Sequence, residues 1–407
     1  MTETILVLNS GSSSIKFQLF AVAADERLER RMKGQVEGIG TRPRLTAKGA
    51  KGEVLVDETW PPAEVRSVPN ALDRVITFLR EQIGGRLPVA IGHRVVHGGP
   101  EYNEPTIISP PVLRKLEMFA PLAPLHQPNN LEPIHVILDR QPKLLQVACF
   151  DTAFHRGHPE IADRYAIPEP LYAQGVRRYG FHGLSYEYVA ARLVEVAPAI
   201  AKGRVVVAHL GSGASMCAIS AGQSVESTMG FTALDGLPMG TRAGQLDPGV
   251  VLYLMSEKAM GVRDVERLLY NECGLKGLSG ISNDVRKLLA SSDPRAKLAL
   301  EYFAYRICLF TGMLVAALGG IDGLVFTAGI GENAPAVRDT VMRRLSWLGV
   351  EPDAVANGKG GPLISRKGSP VACYVIPTDE ELMIATYTLR ALRGQCRSRR
   401  GGARRAR

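Results

Sequence analysis

Two short segments in opposite halves of the chain follow one plan. Residues 5–9 read as a strand, residues 10–13 as a turn of small residues, and 14–20 as a returning strand. Residues 205–209, 210–213 and 214–219 repeat that order, with Gly11 matching Gly211 and Ser12 matching Ser212. A chain that opens each half with the same hairpin is expected to be a duplicated α/β protein. Two such hairpins facing a cleft can grip a polyphosphate from both sides. The first domain is expected over 1–150 and the second over 151–380, the strand before Asp151 marking the boundary. A last helix at about 381–393 should pack back on the first domain. Apolar residues at helical spacing predict a helix over 71–83, closed by Gly84 and Gly85. A second helix over 296–318 is apolar on most faces and is expected to be central.

The formal charge of +9 does not argue for nucleic acid. Eight arginines and no acid lie from residue 390 onward, and setting them aside leaves 41 basic residues against 40 acidic. The tail 394–407 is Gly/Arg-rich and is expected to be disordered. No segment reads as a signal peptide, and the apolar run 307–318 is short for a bilayer span, so a cytoplasmic protein without membrane or specific nucleic-acid partners is expected. None of the six cysteines falls in a CxxC pair, and all but Cys396 are read as core or near-core residues rather than metal ligands or disulfides.

Three small-residue turns carry the chemistry. In Asn9-Ser10-Gly11-Ser12-Ser13-Ser14-Ile15-Lys16, small residues let backbone N–H groups approach phosphate, hydroxyls add donors, and Lys16 supplies charge. The Walker A spacing is absent. His209-Leu210-Gly211-Ser212-Gly213 repeats the logic in the second half. In Thr327-Ala328-Gly329-Ile330-Gly331-Glu332-Asn333-Ala334-Pro335 a strand runs into a glycine turn, with Asn333 the expected cap of the next helix. Around these stand His93-Arg94-Val95-Val96-His97, Phe150-Asp151, Arg178-Tyr179-Gly180-Phe181-His182 and Gly240-Thr241-Arg242. Arginine is the side chain shaped for bidentate contact with carboxylate or phosphate, so these clusters argue for a convergent polar site.

As a set, LNSGSSSIK, GHRVVHGG, PLAPLHQP, CFDTAFH, RRYGFHG, HLGSGAS, MGTRAG, SND, GIGEN and PTDEE, in this order, resemble the acetate kinase family from Asn9 to about Arg393. The resemblance implies the two-domain superfold of sugar kinases, actin and heat-shock chaperones, with the nucleotide cleft between its domains. It implies reversible transfer of the γ-phosphoryl group of ATP to acetate with Mg2+, or Mn2+ in its place, in a homodimer. The implied catalytic set is Arg94, Asp151, His182 and Arg242. Arg94 would hold the acetate carboxylate, with Val96 and Leu125 around its methyl group. His182 and Arg242 would face the transferred phosphoryl group, and Asn9 and Glu380 would place the metal. Lys16, His209, Leu210, Gly211, Ser212, Gly213, Asp284, Val285, Arg286, Gly329, Ile330, Gly331, Glu332 and Asn333 would hold the nucleotide. Asp151 takes the position usually called the proton donor or acceptor. A carboxylate substrate is already ionised at neutral pH, well above a carboxyl pKa of roughly 4, so Asp151 is expected instead to orient Arg94 or metal-bound water.

The chain departs from the family pattern at Ser212 (commonly asparagine), Ala233 (commonly proline), Ala243 (commonly serine) and Gln245 (commonly aspartate). Ala233 would widen the acyl pocket, and one methylene in an apolar pocket is worth only about 1–3 kcal/mol. A propionate or butyrate kinase of the same family is therefore the nearest alternative. A non-metabolic ATPase of the same superfold is the alternative from another class, and it has no use for Arg94, His182 and Arg242 together.

Overall fold

The computed structural model describes the backbone of residues 2–404 and side chains through Gly394. The chain divides into two units, Met1–Ala153 with Asp379–Arg407, and Phe154–Thr378. The boundary thus lies three residues beyond the expected one, and Asp151 belongs to the first unit. The reason is local: its N–H donates to the Val95 carbonyl (3.2 Å) and its carboxylate binds Arg94.

The first unit holds β1 (Glu3–Ser10), β2 (Ser14–Val22), β3 (Leu28–Glu37), β4 (Arg44–Gly49), β5 (Val54–Thr59), β6 (Ala90–Val95), β7 (Thr106–Ile107) and β8 (Leu145–Phe150). They form one sheet in the order β5-β4-β3-β2-β1-β6-β8-β7. The second holds β9 (Arg204–Leu210), β10 (Ala214–Ser220), β11 (Gln223–Ser227), β12 (Gly323–Thr327) and β13 (Ala372–Val375), in the order β11-β10-β9-β12-β13. The duplication is explicit in this topology. In each unit a three-stranded antiparallel meander leads into two parallel strands, β3-β2-β1-β6-β8 in one and β11-β10-β9-β12-β13 in the other. The matched glycines do the same work: Gly11 N–H donates to the Ser14 carbonyl (2.8 Å) and Gly211 N–H to the Gly213 carbonyl (3.0 Å).

The helix Val68–Gln82 buries Ala71, Leu72, Val75, Phe78 and Leu79 against the first sheet, with proline in its first turn. Gly84 and Gly85 follow in the left-handed region, and Gly85 N–H returns to the Arg80 carbonyl (2.8 Å). The helix Glu380–Arg404 lies on β1, β6 and β8. At Gly92 a Cβ would stand 2.3 Å from Thr388 Oγ1 and 2.5 Å from Ile384 Cγ2, so glycine lets that helix approach the strand. The helix backbone passes the expected end at 393. The side chains of the tail beyond Gly394, Cys396 among them, lie outside the described residues.

The helix Pro294–Leu318 corrects one expectation. It is long and apolar enough to cross a membrane by length and composition. One face (Ala296, Ala299, Phe303, Ile307, Phe310, Leu314) is buried against β9, β10 and β11. The opposite face carries Leu298, Tyr302, Tyr305, Leu309 and Met313, all exposed. It lies on the sheet beside the helices Gly274–Ser279 and Pro335–Arg344 with one apolar face open, and so is not buried all round. Helical period alone could not tell a helix buried all round from one with a second apolar face.

Three buried histidines give the fold a pH dependence. Burial pushes His93 and His155 down to about 4 and His158 to about 2. The unfolded chain, with histidines near 6.5, therefore binds more protons than the folded one below that pH. The contribution of these three histidines is full above pH 6.5 and falls as the pH drops toward 4, by at most about 1.4 kcal/mol per pH unit for each, and the Glu380 carboxyl, raised to about 7, offsets one of them. Thermal denaturation between pH 7 and 5 should show Tm falling over this window, and His158→Gln should flatten the slope. A Tm independent of pH there would contradict the assignment.

Candidate active site

In the first unit the functional side chains gather where β1, β6 and β8 end, the edge at which parallel sheets usually bind ligands. The register sets them there: Asn9 pairs with Lys16 across the hairpin, Leu8 with His93, and Arg94 with Cys149, one residue short of the strand end that precedes Asp151. Arg94 is the hub. Its Nε and Nη2 donate to the two oxygens of Asp151 at 3.0 and 2.5 Å, its Nη1 lies 3.4 Å from Asn9 Oδ1, and its Nε lies 3.9 Å from Glu380 Oε2. Burial works against the guanidinium charge, but Asp151 and Glu380 outweigh it and hold Arg94 well above its ordinary value. Asp151 is 1% exposed, so the fork is sheltered from water.

Glu380 opens the last helix. Burial pushes its carboxyl up to about 7 against the pull of Arg94, and the nearby charges of Asp151 and Glu381 push the same way. Among the described residues no group of three or more histidine, cysteine or acidic side chains is placed to hold a metal ion. Asn9 and Glu380 nevertheless offer hard oxygen donors, and the carboxylates of Asp151, Glu380 and Glu381 outnumber the Arg94 and Lys16 charges beside them. That fits Mg2+, which takes one or two carboxylates and draws its remaining ligands from water and substrate phosphates.

Val96 is buried, as a pocket wall should be, whereas Leu125 is 42% exposed on a loop. Asn130, which sequence reasoning missed, ties this region together. Its Nδ2 donates to the Ser10 carbonyl (2.6 Å) and its Oδ1 accepts from Val96 N–H (2.9 Å). It follows the PLAPLHQP motif by two residues, but nothing in the sequence says which distant backbone groups it bonds. Lys16 is exposed on β2.

In the second unit the hairpin tip at Gly213 is the focus. A Cβ placed there would stand 3.3 Å from His182 Nε2 and 3.9 Å from Arg242 Nη1, so both side chains converge on a space that glycine leaves open. His182 caps the helix Gly183–Val196 from a left-handed backbone, φ 58°. Its ring stacks on His209 (4.2 Å between centroids, 14° between planes), and its Nδ1 meets Ser215 Oγ at 2.8 Å. His209 Nδ1 meets Ser185 Oγ at 2.8 Å. Arg242 donates to the Ala233 carbonyl at 3.3 Å and lies over the Tyr270 ring. The structure thus places the Ala233 departure behind Arg242, through a carbonyl that alanine and proline supply alike. Gln245 bonds Arg306 in place of the common aspartate.

The remaining nucleotide residues fall into two groups. Leu210, Gly211 and Ser212 form the tip of the β9–β10 hairpin. Asp284 caps the short helix Val285–Leu289 and forks onto Arg286, which pulls the carboxyl down to about 2. The segment expected as a glycine turn is instead a short helix, Ala328–Asn333, containing Gly329, Ile330, Gly331 and Glu332. Asn333 ends it and donates to the Gly329 carbonyl (2.9 Å); Ala334, not Asn333, is the cap of the next helix. The order comes from Arg338, another residue the sequence reading missed. It is 1% exposed and donates to the carbonyls of Gly331 and Glu332 and to both oxygens of Asn357, all at 2.8 Å. Glu332 Oε1 in turn accepts from Thr378 N–H (3.2 Å).

The profile of the acetokinase family matches residues 4–386. Acetate kinase of Nitrobacter hamburgensis is 60% identical over 391 residues, 96% of each chain. Acetate kinase of Rhizobium meliloti is 56% identical over 387 residues, 95% of this chain and 98% of the relative. Among solved structures, Porphyromonas gingivalis acetate kinase superposes with a TM-score of 0.86 at 37% identity, covering 96% of this chain and all of its own. A propionate kinase from Francisella tularensis superposes with a TM-score of 0.89 at 37% identity, covering 95% and 99%.

Proposed function

The chain belongs to the acetokinase family, and we propose that it transfers the γ-phosphoryl group of ATP reversibly to acetate, giving acetyl phosphate and ADP. In the forward direction an acetate oxygen bonds to the γ-phosphorus while the bond from that phosphorus to the bridging oxygen of ADP breaks. The substrate arrives ionised, so no proton has to be removed. Transfer of this kind rests on positioning and charge neutralisation rather than covalent help.

The observation that carries the reading is the Arg94–Asp151 fork. A guanidinium clamped on two of its nitrogens presents Nη1 in a fixed direction, which suits capture of a second carboxylate. We assign acceptor binding to Arg94, with Val96 and Leu125 as the apolar surroundings of the methyl group, and the transferred phosphoryl group to His182 and Arg242 around Gly213. The hairpin tip at Leu210–Gly213, Lys16, Asp284 with Val285 and Arg286, and Gly329 through Asn333 are assigned to the nucleotide. Asn9 and Glu380 would hold Mg2+, which supplies charge neutralisation on the phosphates when bound. Asp151 acts through Arg94 as a positioning residue.

Acetate over propionate is favoured by the names of the relatives at 50% identity and above; the Francisella structure keeps propionate as the second reading. Hydroxamate trapping with Mg-ATP and acetate, propionate or butyrate tests both. Signal strongest with acetate is expected. Signal mainly with a longer acid would change the substrate and keep the mechanism, and none with any acid from folded protein would favour a plain ATPase.

We also propose that the chain pairs with a second copy of itself through the exposed face of the helix Pro294–Leu318. Leu298, Tyr302, Tyr305 and Leu309 recur at spacings of four and three, the stripe by which one helix packs on another. The helix Pro248–Ser256 of the same unit adds Val250, Leu252, Tyr253 and Met255, none buried. So much exposed apolar surface is typical of an interface rather than of a monomer's exterior. Light scattering after gel filtration should give twice the chain mass, and Tyr305→Asp with Leu309→Glu should give the single mass. A wild-type monomer at micromolar concentration would refute the pairing.

A further inference from the structure

The left-handed backbone at His182 needs an explanation. A non-glycine residue stays in that region only where its surroundings over-determine it. His182 sits at φ 58°, at the start of a fourteen-residue helix, directly after Phe181. What grips this segment comes from His155, the last residue of the CFDTAFH motif, and from Arg156 after it. His155 Nε2 lies 3.0 Å from the Phe181 carbonyl. Arg156 Nη2 donates to the carbonyls of Arg178 and Tyr179 at 3.0 and 2.9 Å. Between them Gly180, φ 73°, lies under the His155 ring so closely that a Cβ would stand 2.6 Å from its Cδ2. His155 is fully buried.

The proton positions follow from one anchor. The Phe181 carbonyl can only accept, so His155 Nε2 carries the hydrogen. Burial keeps the ring neutral, with its pKa pushed down to about 4, so Nδ1 carries none and accepts. Ser224 Oγ, 2.8 Å away, must then donate to it. His158 Nε2, 2.6 Å from the same oxygen, donates to a Ser224 lone pair. Cys217 Sγ lies 3.1 Å from that oxygen as well. The Phe181 carbonyl therefore fixes the His155 tautomer, and the Ser224 hydroxyl supplies the donor that the bare Nδ1 of this tautomer needs. The His182 ring is tied to the same cluster from its other side. Ser215 Oγ meets both His182 Nδ1 (2.8 Å) and the Tyr186 hydroxyl (2.5 Å), and Tyr186 packs edge-on against His155.

We propose that His155 is a positioning residue for phosphoryl transfer: with its Nδ1 satisfied by Ser224, its Nε2–H fixes the Phe181 carbonyl and with it the left-handed backbone that aims His182 at the space around Gly213. This rests on the assignment of His182 to the transferred group. His155 itself meets neither substrate nor nucleotide in that scheme, so its loss should lower kcat and spare the KM for acetate.

The test compares variants of one buried cluster. His155→Phe keeps the volume but has no donor for Phe181; His155→Gln restores an N–H at the same reach; His158→Phe disturbs the cluster while leaving the His155 donor to the Phe181 carbonyl in place. His155→Phe should lose about 100-fold in kcat, the size of effect a misplacement of roughly 1 Å produces, with KM for acetate within about threefold. His155→Gln should recover about tenfold of that loss. His158→Phe should keep kcat within about threefold even where its Tm drops as far. Ser224→Ala, which leaves Nδ1 without its donor, should fall between and serves if His155→Phe does not fold. A crystal structure of His155→Phe or Ser224→Ala should show His182 leaving φ near 60°. Equal kcat losses in His155→Phe and His158→Phe that track Tm, or an unchanged His182 backbone, would overturn the proposal. Wild-type protein that makes no acyl phosphate would instead refute the assigned reaction, while the crystallographic readout of His155 would still stand.

Discussion

Asp151→Asn is expected to lower kcat by about 100-fold or more while the pH–rate profile keeps its shape. Asp151 accepts from two nitrogens of Arg94 at once. An asparagine offers one acceptor and turns an NH2 group toward the other guanidinium nitrogen, so the fork opens and Arg94 loses its fixed direction. Losing one preorganised charge stabiliser typically costs about 3 kcal/mol. Arg94→Lys should cost nearly as much, because a lysine cannot make the planar double contact. The double variant should then be little worse than either single one, the non-additivity of two groups that act as a unit. Steady-state kinetics across pH 6–9 decides between the two roles for Asp151. A loss that follows a single pH titration, with metal affinity unchanged, would restore proton transfer as its function.

Arg338→Met should destabilise the protein by roughly 2–4 kcal/mol and weaken nucleotide binding as well. The guanidinium satisfies the Gly331, Glu332 and Asn357 carbonyls and the Asn357 side chain from a fully buried position. A methionine fills much of the volume and leaves these acceptors without their donor, and an unsatisfied buried polar group costs about 1–3 kcal/mol. Relief from burying a charge, which already pulls Arg338 below its ordinary pKa, offsets part of the total. Since two of the carbonyls belong to the short helix Ala328–Asn333, the ATP KM should rise along with the lower urea midpoint. A variant with an unchanged midpoint would show that water replaces the arginine without cost.

Some of the site is legible in the sequence because its information is local. The hairpins at 5–20 and 205–219 announce themselves through strand-forming residues on both sides of a small-residue turn, and the structure extends each strand end by at most two residues. The helix Val68–Gln82 was legible from its spacing and its glycine stop. The residue set of the polar site was legible as arginines, histidines and acids in glycine-rich settings, and Arg94 with Asp151 proved to be directly bonded.

The rest depended on which distant groups meet. Residues 327–335 contain two glycines and read as a turn; a buried arginine from the following helix holds part of them as a helix instead. The two apolar faces of Pro294–Leu318 carry the same hydrophobic signal, and only the position of the second sheet separates the covered face from the open one. Asp151 falls beside a domain boundary in the sequence and joins the first unit because Val95 and Arg94 bind it. His155 looks like one more histidine in a motif until Phe181 and Ser224 are seen on its two nitrogens. Local pattern determines which backbone forms a strand, turn or helix, since those preferences act over a few residues. Burial and the pairing of polar groups are settled only when segments far apart in the chain pack together, and they decide the charge state, tautomer and direction of each functional side chain.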